Sequence, residues 1–280
     1  MMQVQWYPGH MTKAKRMMQE DIKLIDLVIE LLDARIPLSS RNPDIDELAK
    51  GKSRLVLLNK SDLADPSANK AWQKYFEEKG IIALCVDSRN RGGFAPINSS
   101  IEIACKEKTE RDRKRGIIGR PVRAMVAGIP NVGKSTFINS LTRKAGAKTG
   151  NKPGVTKGKQ WIKLDKNVDL LDTPGILWPK FDDENTGLNL AFVGSINDEI
   201  LDPTELALKL AEKLKTAYPG SLFTRYGTEE DENTAVILEK IALKRGCLKK
   251  GNEPDLDKAA KIILDEFRSG KLGKITLEMI

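Results

Sequence analysis

The stretch GIPNVGKS at residues 128–135 fits the pattern G-x-x-x-x-G-K-[ST], and it decides how the rest of the chain is interpreted. Its glycines, Gly128 and Gly133, allow backbone N–H groups to wrap around phosphates, and a following helix adds a partial positive charge. The segment before it, VRAMVAG, predicts a strand, and the segment after it, STFINSLTR, predicts a helix. Strand, glycine-rich loop and helix in this order predict a phosphate-binding P-loop.

The P-loop pattern assigns a role to its polar residues. Lys134 should bridge the β- and γ-phosphates of a nucleotide, and the Ser135 hydroxyl should ligate Mg²⁺. The residues expected to line the phosphates are Asn131, Val132, Gly133, Lys134, Ser135 and Thr136.

A second phosphate-side motif, LDTPG, closes the strand predicted for VDLLD. Asp172 should hold Mg²⁺ through water, and the N–H of Gly175 should sense the γ-phosphate. Thr156, in PGVTKG between the two motifs, is the natural second hydroxyl ligand for Mg²⁺ and the γ-phosphate, ahead of Thr149. A DxxG pattern alone usually marks only a turn. Here its position two strands after the P-loop is what favours a metal-holding carboxylate. Lys134 and Thr156 are therefore candidate catalytic residues.

The tetrapeptide NKSD ends the apolar segment LVLLN and predicts a loop that reads guanine. The Asp62 carboxylate can accept hydrogen bonds from guanine N1–H and the 2-amino group, two donors that adenine lacks. Asn59 would brace the loop, and the stem of Lys60 would cover the base. Asp87 and Ser88, after the next strand, could supply further contacts to the base. An isolated NKSD is usually a surface turn, and the P-loop and DxxG in the same predicted sheet favour the guanine interpretation.

The order of these motifs is rearranged, because the base-reading loop precedes the P-loop, the threonine and DTPG. In a Ras-like domain the last strand ends near the start of the P-loop strand, so joining those ends leaves the sheet intact. Residues 97–121 are long enough to be the joining helix and linker. Strands that alternate with helices indicate a doubly wound, mainly parallel α/β sheet. We therefore expect a circularly permuted Ras-like P-loop GTPase domain.

Past the DTPG motif the strand patterns stop and helix patterns take over. Asp202 and Pro203 followed by Glu205 are typical of a helix start with an N-cap, a proline in the first turn and a capping-box partner. The residues that then line one apolar face are Leu206, Leu210 and Leu214. We expect a GTPase domain over residues 1–179 and a small all-α domain over residues 180–280. Because the chain runs from DTPG straight into these helices, hydrolysis could reorient them.

The charge is moderately basic, with 47 Lys and Arg against 39 Asp and Glu in 280 residues. Residues 106–123 hold eight basic and three acidic side chains, and a second basic cluster lies at residues 243–251. Such clusters can contact phosphates of a nucleic acid, with an affinity that falls as salt rises. The first cluster is equally well explained as a solvated helix end with a linker.

Several protein classes are disfavoured. The longest wholly apolar run, IIALCV at residues 81–86, is too short to cross a bilayer, and the N-terminal segment lacks the apolar region of a secretory signal. The cysteines Cys85, Cys105 and Cys247 are few and far apart, which argues against a disulfide framework or a zinc site. We expect a cytoplasmic protein without a membrane partner, and a monomer by default.

Five segments, WYPGHM, LLDARIP, NKSD, GIPNVGKST and DTPGI, together resemble the bacterial ribosome biogenesis GTPase A (YlqF/RbgA) family of circularly permuted GTPases. The resemblance covers nearly the whole chain. It implies a role in assembly of the large (50S) ribosomal subunit, with ribosomal RNA and ribosomal proteins as partners. It also implies that the helical domain over residues 180–280 binds RNA or the ribosome.

The same resemblance implies how the attacking water is oriented. Many GTPases use a Gln directly after DxxG, and that position is Ile176, whose side chain cannot form a hydrogen bond. The resemblance implies that His10, in YPGH, takes this role, although a lone histidine is more often structural. It also suggests a K⁺ ion bound partly by Asn131, for which a simple turn preference is the other explanation.

The leading interpretation is a GTP-hydrolysing, nucleotide-switched assembly factor for the large ribosomal subunit that requires Mg²⁺. The alternative is a GTP-dependent RNA-binding scaffold with negligible intrinsic turnover, which Ile176 makes physically reasonable. A membrane or signalling GTPase is disfavoured by the lack of a membrane span or lipidation signal, and an ATPase by Asp62.

Overall fold

The computed structural model describes residues 16, 18–90, 95–142, 160–164, 166–172, 183–228 and 233–280. Within these residues a six-stranded sheet has the strand order β3-β2-β1-β4-β6-β5. The strands are β1 (Leu27–Asp33), β2 (Ser53–Asn59), β3 (Ile82–Val86), β4 (Val122–Ala127), β5 (Gln160–Lys163) and β6 (Val168–Asp172).

All neighbouring strands run parallel except β5, which is antiparallel to β6. Asp33 lies opposite Asn59, and Asn59 lies opposite Val86, so the carboxyl ends of β1, β2 and β3 are level with one another. Val126 lies opposite Asp172, which brings the ends of β4 and β6 to the same edge. The strands that lead into the predicted site loops therefore all end at the carboxyl end of the parallel strands, which is called the carboxyl edge of the sheet below.

Helices cover both faces of the sheet and then continue beyond it. A helical segment at residues 18–22 precedes β1. The helices that follow are α1 (Ile45–Leu48), α2 (Pro66–Glu78), α3 (Ala95–Ala104), α4 (Lys106–Lys114) and α5 (Lys134–Thr142). After a gap in the described residues come α6 (Glu184–Phe192), α7 (Pro203–Ala217), α8 (Ser221–Tyr226), α9 (Thr234–Lys244) and α10 (Leu256–Arg268).

The strand order confirms the circularly permuted α/β fold. The chain runs from the edge strand β3 through α3 and α4 to the central strand β4, which carries the P-loop. The joining helices span residues 95–114, which largely matches the segment 97–121 expected to connect the old chain ends. None of the helices in the described ranges is long and apolar enough to cross a membrane.

The hydrophobic core lies on both faces of β1 because its side chains alternate in direction. Leu27, Ile29 and Leu31 belong to a cluster that includes α3 and α5 and continues through α6 to α10. On the opposite face, Leu32 packs with Trp72 of α2. The helices after residue 183 thus share a continuous apolar core with the sheet, which fixes where they sit relative to it.

Local sequence explains how the long helices begin. Asp65 caps α2 by accepting hydrogen bonds from the N–H groups of Ser67 (2.7 Å) and Ala68 (3.3 Å). Asp202 caps α7 in the same way, accepting from Thr204 (2.8 Å) and Glu205 (3.0 Å). The predicted helix start is confirmed, and the residues expected on its apolar face are buried, namely Leu206, Leu210 and Leu214.

One carboxylate joins three of the C-terminal helices. Glu266 of α10 accepts hydrogen bonds from Arg225 (2.7 and 2.8 Å), Tyr226 (2.7 Å) and Arg245 (2.9 Å). The hydrogen bonds from Arg225, followed by those of its other partners, outweigh burial and lower the pKa of Glu266 to about 2. The carboxylate therefore stays charged at all but very acidic pH.

Residues 275–278 form a C-terminal strap across the loops that follow β1 and β2. Ile275 donates its N–H to the carbonyl of Leu63 (3.0 Å), and Leu277 donates to that of Arg35 (2.7 Å). The Glu278 carboxylate accepts from the N–H groups of Leu38 (2.7 Å) and Ser39 (3.0 Å). The strap thus ties the end of the chain to the edge of the sheet where the candidate site lies.

Candidate nucleotide-binding site

Asn59, the last residue of β2, connects three loops at the strand ends and is 2% exposed. Its Nδ2 donates to the carbonyl of Val132 in the P-loop (2.7 Å). Its Oδ1 accepts from the backbone N–H (3.0 Å) and the hydroxyl (2.7 Å) of Ser88, after β3. Ser140 of α5 in turn donates to the Ser88 carbonyl (2.7 Å). The NKSD loop and the P-loop are therefore parts of one site.

Both P-loop glycines are required by close approach of the backbone to its neighbours. A Cβ on Gly133, whose φ is +102°, would lie 2.6 Å from Nδ2 of Asn59. A Cβ on Gly128 would lie 2.6 Å from the carbonyl oxygen of Leu31. Real Cβ atoms do not approach other atoms so closely, so only glycine permits this loop path.

The loop then leads into the first turn of α5, where Ser135 and Thr136 are half-buried. Lys134 is 7% exposed, and its Nζ donates to the carbonyls of Gly128 and Ile129, both at 2.9 Å. The ammonium group thus lies over its own loop. The start of a helix carries N–H groups without intrahelical partners and a partial positive charge, so this corner suits a phosphate.

Asp62 presents a carboxylate on the other side of the site. Its Oδ2 accepts a hydrogen bond from Arg89, whereas its Oδ1 is buried and has no hydrogen-bond partner among the described residues. Arg89 also contacts Asp87, whose Oδ1 accepts from the Arg89 backbone N–H (3.0 Å) and Nε (3.3 Å). A buried acceptor without a donor is costly, so Oδ1 of Asp62 suits a ligand that brings a donor.

Lys60 adopts a left-handed backbone conformation with φ +58°, and its Nζ donates to Oδ2 of Asp33 (2.8 Å). Burial alone would raise the pKa of Asp33, but the charges of Arg35 and Lys60 outweigh it and hold that pKa well below its usual range. Burial, only partly offset by Asp33, lowers the pKa of Lys60. Asp33 therefore remains ionised and fixes the direction of the Lys60 side chain.

Asn131 connects the P-loop with the C-terminal helices. Its φ is +58°, and its Nδ2 donates to the carbonyl of Gly194 after α6 (2.7 Å). A cation would need the side-chain oxygen of Asn131, and this hydrogen bond engages the nitrogen instead.

The structure brings together most of the predicted residues and gives some of them contacts that the sequence does not predict. The sequence predicts a contact between Ser88 and the base, but the Ser88 side chain is buried and donates to Asn59. Asp172 ends β6 beside the P-loop strand. The predicted His10, Thr156 and Gly175 lie outside the described residues.

Asp33 and Arg35 are site residues that the sequence motifs do not reveal. A signal for Asp33 is nevertheless present, because it ends a buried strand at the edge where the other site residues lie. The segment LLDARIP, which contains both, contributed only to the resemblance.

Comparisons with known proteins agree with this geometry. A family model described as 50S ribosome-binding GTPase matches residues 123–238, which begin in β4 and include the P-loop. Ribosome biogenesis GTPase A of Bacillus cereus is 49% identical over 278 residues, which cover 99% of this chain and 94% of that protein. The protein of the same name from Thermotoga maritima is 33% identical over 274 residues, covering 98% and 93%. The crystal structure of GNP-bound YlqF from T. maritima aligns with a TM-score of 0.67 at 29% identity, covering 95% of this chain and 98% of that one.

Proposed function

Because the chain belongs to the ribosome biogenesis GTPase A family of GTP hydrolases, we propose that it binds GTP at the carboxyl edge of its sheet and hydrolyses it to control docking on a precursor of the large ribosomal subunit. The observation that carries the proposal is the hydrogen bond from Asn59 to Val132 (2.7 Å), which joins the NKSD loop to the P-loop. We further propose a division into a GTPase domain, residues 1–179, and a helical domain, residues 180–280.

In this proposal the guanine base lies between the Lys60 stem and the loop that carries Asp87 and Ser88. The Asp62 carboxylate accepts from guanine N1–H and the 2-amino group. Its Oδ1, which has no hydrogen-bond partner in the described part of the chain, supports this assignment. Adenine offers neither donor, and such a mismatch is worth roughly 10⁴–10⁵ in discrimination.

The phosphates lie over the P-loop in this proposal. Backbone N–H groups of Val132, Gly133 and Thr136 surround them, and the Lys134 ammonium, which now contacts loop carbonyls, turns to the β- and γ-phosphates. The start of α5 adds its partial positive charge at the same corner. The N–H of Gly175 is the proposed sensor of the γ-phosphate.

The residues available for a metal fit Mg²⁺. Ser135 and Thr156 offer hydroxyl oxygens and Asp172 a carboxylate, the hard oxygen ligands that Mg²⁺ prefers. Ser135 lies in the first turn of α5, the helix after β4, and Asp172 ends the neighbouring strand β6. When bound, Mg²⁺ would neutralise charge that develops on the phosphates. A K⁺ ion at the Oδ1 of Asn131 is a further proposal, and equal hydrolysis rates in K⁺ and Na⁺ at the same ionic strength would refute it.

His10 is the proposed residue that orients the attacking water, since Ile176 cannot. We expect slow intrinsic hydrolysis that ribosomal subunits stimulate. Single-turnover assays of the wild-type chain and His10→Ala, with and without large ribosomal subunits, test this role. If ribosomal subunits still stimulate hydrolysis by His10→Ala, His10 has no role in the mechanism. If they do not stimulate the wild-type chain, a GTP-dependent RNA-binding scaffold is favoured over a GTP-hydrolysing switch.

The proposed partner is a large-subunit precursor with its ribosomal RNA and proteins, bound by a monomer in the cytoplasm. Exposed cations at the end of α4 support a contact with RNA phosphates, namely Arg111, Arg113, Lys114 and Arg115. Co-sedimentation with ribosomal subunits should differ between GDP and a non-hydrolysable GTP analogue. Binding that ignores the nucleotide would contradict the switch.

The guanine assignment is tested by Asp62→Asn. Asparagine can donate to the C2 carbonyl of xanthine, so the variant should prefer xanthosine triphosphate. It should lose roughly 10²–10⁴-fold in GTP affinity, because two hydrogen bonds to a charged acceptor are weakened. The matched control is Asp65→Asn in the same loop, where asparagine still caps α2. Undiminished preference of Asp62→Asn for GTP would refute the assignment.

A further inference from the structure

The Asp33 carboxylate is shared between two cations that come from different directions. It is fully buried at the end of β1. Its Oδ2 accepts from Lys60 Nζ (2.8 Å) and from Nη2 of Arg35 (2.8 Å), and its Oδ1 accepts from Nε of Arg35 (2.9 Å). The Arg35 side chain is itself 1% exposed. The base-reading lysine and this arginine therefore depend on one buried anion.

The far side of the Arg35 guanidinium contacts the C-terminal helices. Its Nη1 donates to the carbonyl of Arg268 at the end of α10 (3.3 Å), and its Cζ lies over the ring of Phe267, 5.3 Å from the ring centroid. The end of a helix carries a partial negative charge, and an aromatic face attracts a cation, so both contacts favour the guanidinium. The Arg35 carbonyl also accepts from Leu277 of the C-terminal strap (2.7 Å).

We propose that Arg35 is a positioning residue that couples the guanine-reading loop to the C-terminal helices. Its rigid guanidinium binds the Asp33 carboxylate, which directs Lys60, and it also binds the carbonyl at the end of α10. Displacing α10 leaves a buried cation less well compensated, and the loss extends to Asp33 and Lys60. Guanine binding and the packing of α10 therefore stabilise each other, as coupling between two sites requires. The inference rests on the proposed function, since it takes Lys60 to lie along guanine.

A second connection joins the P-loop to the C-terminal helices, and the experiment has to distinguish it from the connection through Arg35. Asn131 of the P-loop donates to Gly194 (2.7 Å), and Arg268 contacts the carbonyl of Phe192 nearby (3.0 Å). Changes at Arg35 leave that connection in place, so they isolate the route that begins at the base.

The test combines calorimetric titration with GDP and hydrogen exchange of the full chain. In the wild-type chain, saturating GDP should slow exchange in the last turn of α10. In Arg35→Met the affinity for GDP should fall roughly fivefold or more, and GDP should protect α5 but no longer the end of α10. With GTP, the variant should raise KM and leave kcat nearly unchanged, because Lys60 acts on the base and not on the phosphates.

Arg41→Met is the matched control. Arg41 also pairs with a buried carboxylate, Glu30 (3.0 Å), and also lies over an aromatic ring, that of Phe76 (5.8 Å). The structure gives it no contact with Lys60 or α10 among the described residues. This variant should therefore keep the wild-type affinity for GDP and the protection of α10.

A variant on the helix side tests the reciprocal effect. Phe267→Leu removes the ring beneath the guanidinium but keeps an apolar side chain, and it should weaken GDP binding although Phe267 belongs to α10. It also serves if Arg35→Met does not fold. Equal GDP affinities for Arg35→Met, Phe267→Leu and Arg41→Met, or undiminished protection of α10 in Arg35→Met, would overturn the coupling alone. A wild-type chain that does not bind GDP would overturn the proposed function, and the coupling with it.

Discussion

Gly133 of the P-loop lies so close to Asn59 of the base-reading loop that a Cβ on the glycine would come within 2.6 Å of the asparagine amide nitrogen. Asn59 and Val132, to whose carbonyl the Asn59 amide donates (2.7 Å), lie 73 positions apart in the chain. There is no room between Gly133 and Asn59 for even one methyl group. The P-loop and the base-reading loop are therefore packed directly against each other through Asn59.

Gly133→Ala adds only one methyl group, but it should lower both the stability of the fold and the affinity for GDP. The substitution forces alanine into φ +102° and places its Cβ against Asn59, which should cost about 1–3 kcal/mol of folding free energy. Because the loop has to shift, GDP affinity should also fall. Urea unfolding and GDP titration measure the two effects.

Gly116→Ala is the control for backbone strain alone. Gly116 has φ +76°, and a Cβ added to it would meet no other atom of the described residues within 4 Å. The variant should lose about 1 kcal/mol of stability and retain its GDP affinity. Equal GDP affinities for the two alanine variants would contradict the role given to the Gly133 contact.

Asn59→Ala should loosen all three loops at once. It leaves the Val132 carbonyl and the Ser88 N–H and hydroxyl without their partner, and each buried polar group left unpaired costs about 1–3 kcal/mol. Thermal unfolding should show a large loss of stability, with weaker GDP binding. The control Asn233→Ala removes the N-cap of α9 and should cost about 1 kcal/mol without changing GDP affinity. A GDP affinity in Asn59→Ala equal to that of the control would count against a single joined site.

Glu266 should make the C-terminal helices sensitive to acid. Its pKa is lowered from 4.5 to about 2 in the folded chain, so its contribution to stability is fully present above about pH 4.5 and disappears as pH falls towards 2. Glu266→Gln should be less stable at neutral pH and should lose less stability over that range. Unfolding free energies measured at several pH values test this. Glu239→Gln, an exposed change on α9, should keep the wild-type pH profile, and a wild-type profile for Glu266→Gln would refute the assignment.

Glu278→Gln should release the C-terminal strap. The carboxylate accepts from Leu38, Ser39 and the Asn189 side chain (3.0 Å), and hydrogen bonds to a charged acceptor contribute about 1.5–3 kcal/mol. Hydrogen exchange should become faster at residues 275–278, with a loss of stability in urea. The exposed Glu253→Gln serves as the control. Unchanged exchange in Glu278→Gln would show that backbone contacts alone hold the strap.

Local sequence patterns predicted the strands, the capped helices and the loops that meet at the sheet edge, because each depends on residues close together in the chain. The order of the motifs predicted the permuted sheet, which the pairing of β1 with β4 confirms. A local pattern also assigned Asn59 to the site, because NKSD matches a short motif whose residues have a fixed spacing.

The contacts that the sequence did not predict are those without a spacing rule. Arg35 and Arg268 lie 233 positions apart, and Leu38 and Glu278 lie 240 apart. Such pairs form only after two separately folded segments pack together, and no periodicity marks them. Ser88 shows the same limit, since its place after β3 does not reveal that its side chain is buried and donates to Asn59.

The position of β1 in the middle of the sheet sets the timing of folding during synthesis. β1 pairs with β2, which follows at once, and with β4, which begins at Val122. At a synthesis rate of about 5–20 residues per second, the backbone N–H and C=O groups on the β4 side of β1 stay unpaired for roughly 5–20 s before β4 emerges. An unpaired strand edge of this kind is a template for aggregation, so we expect the nascent half-sheet to be prone to aggregation during this interval.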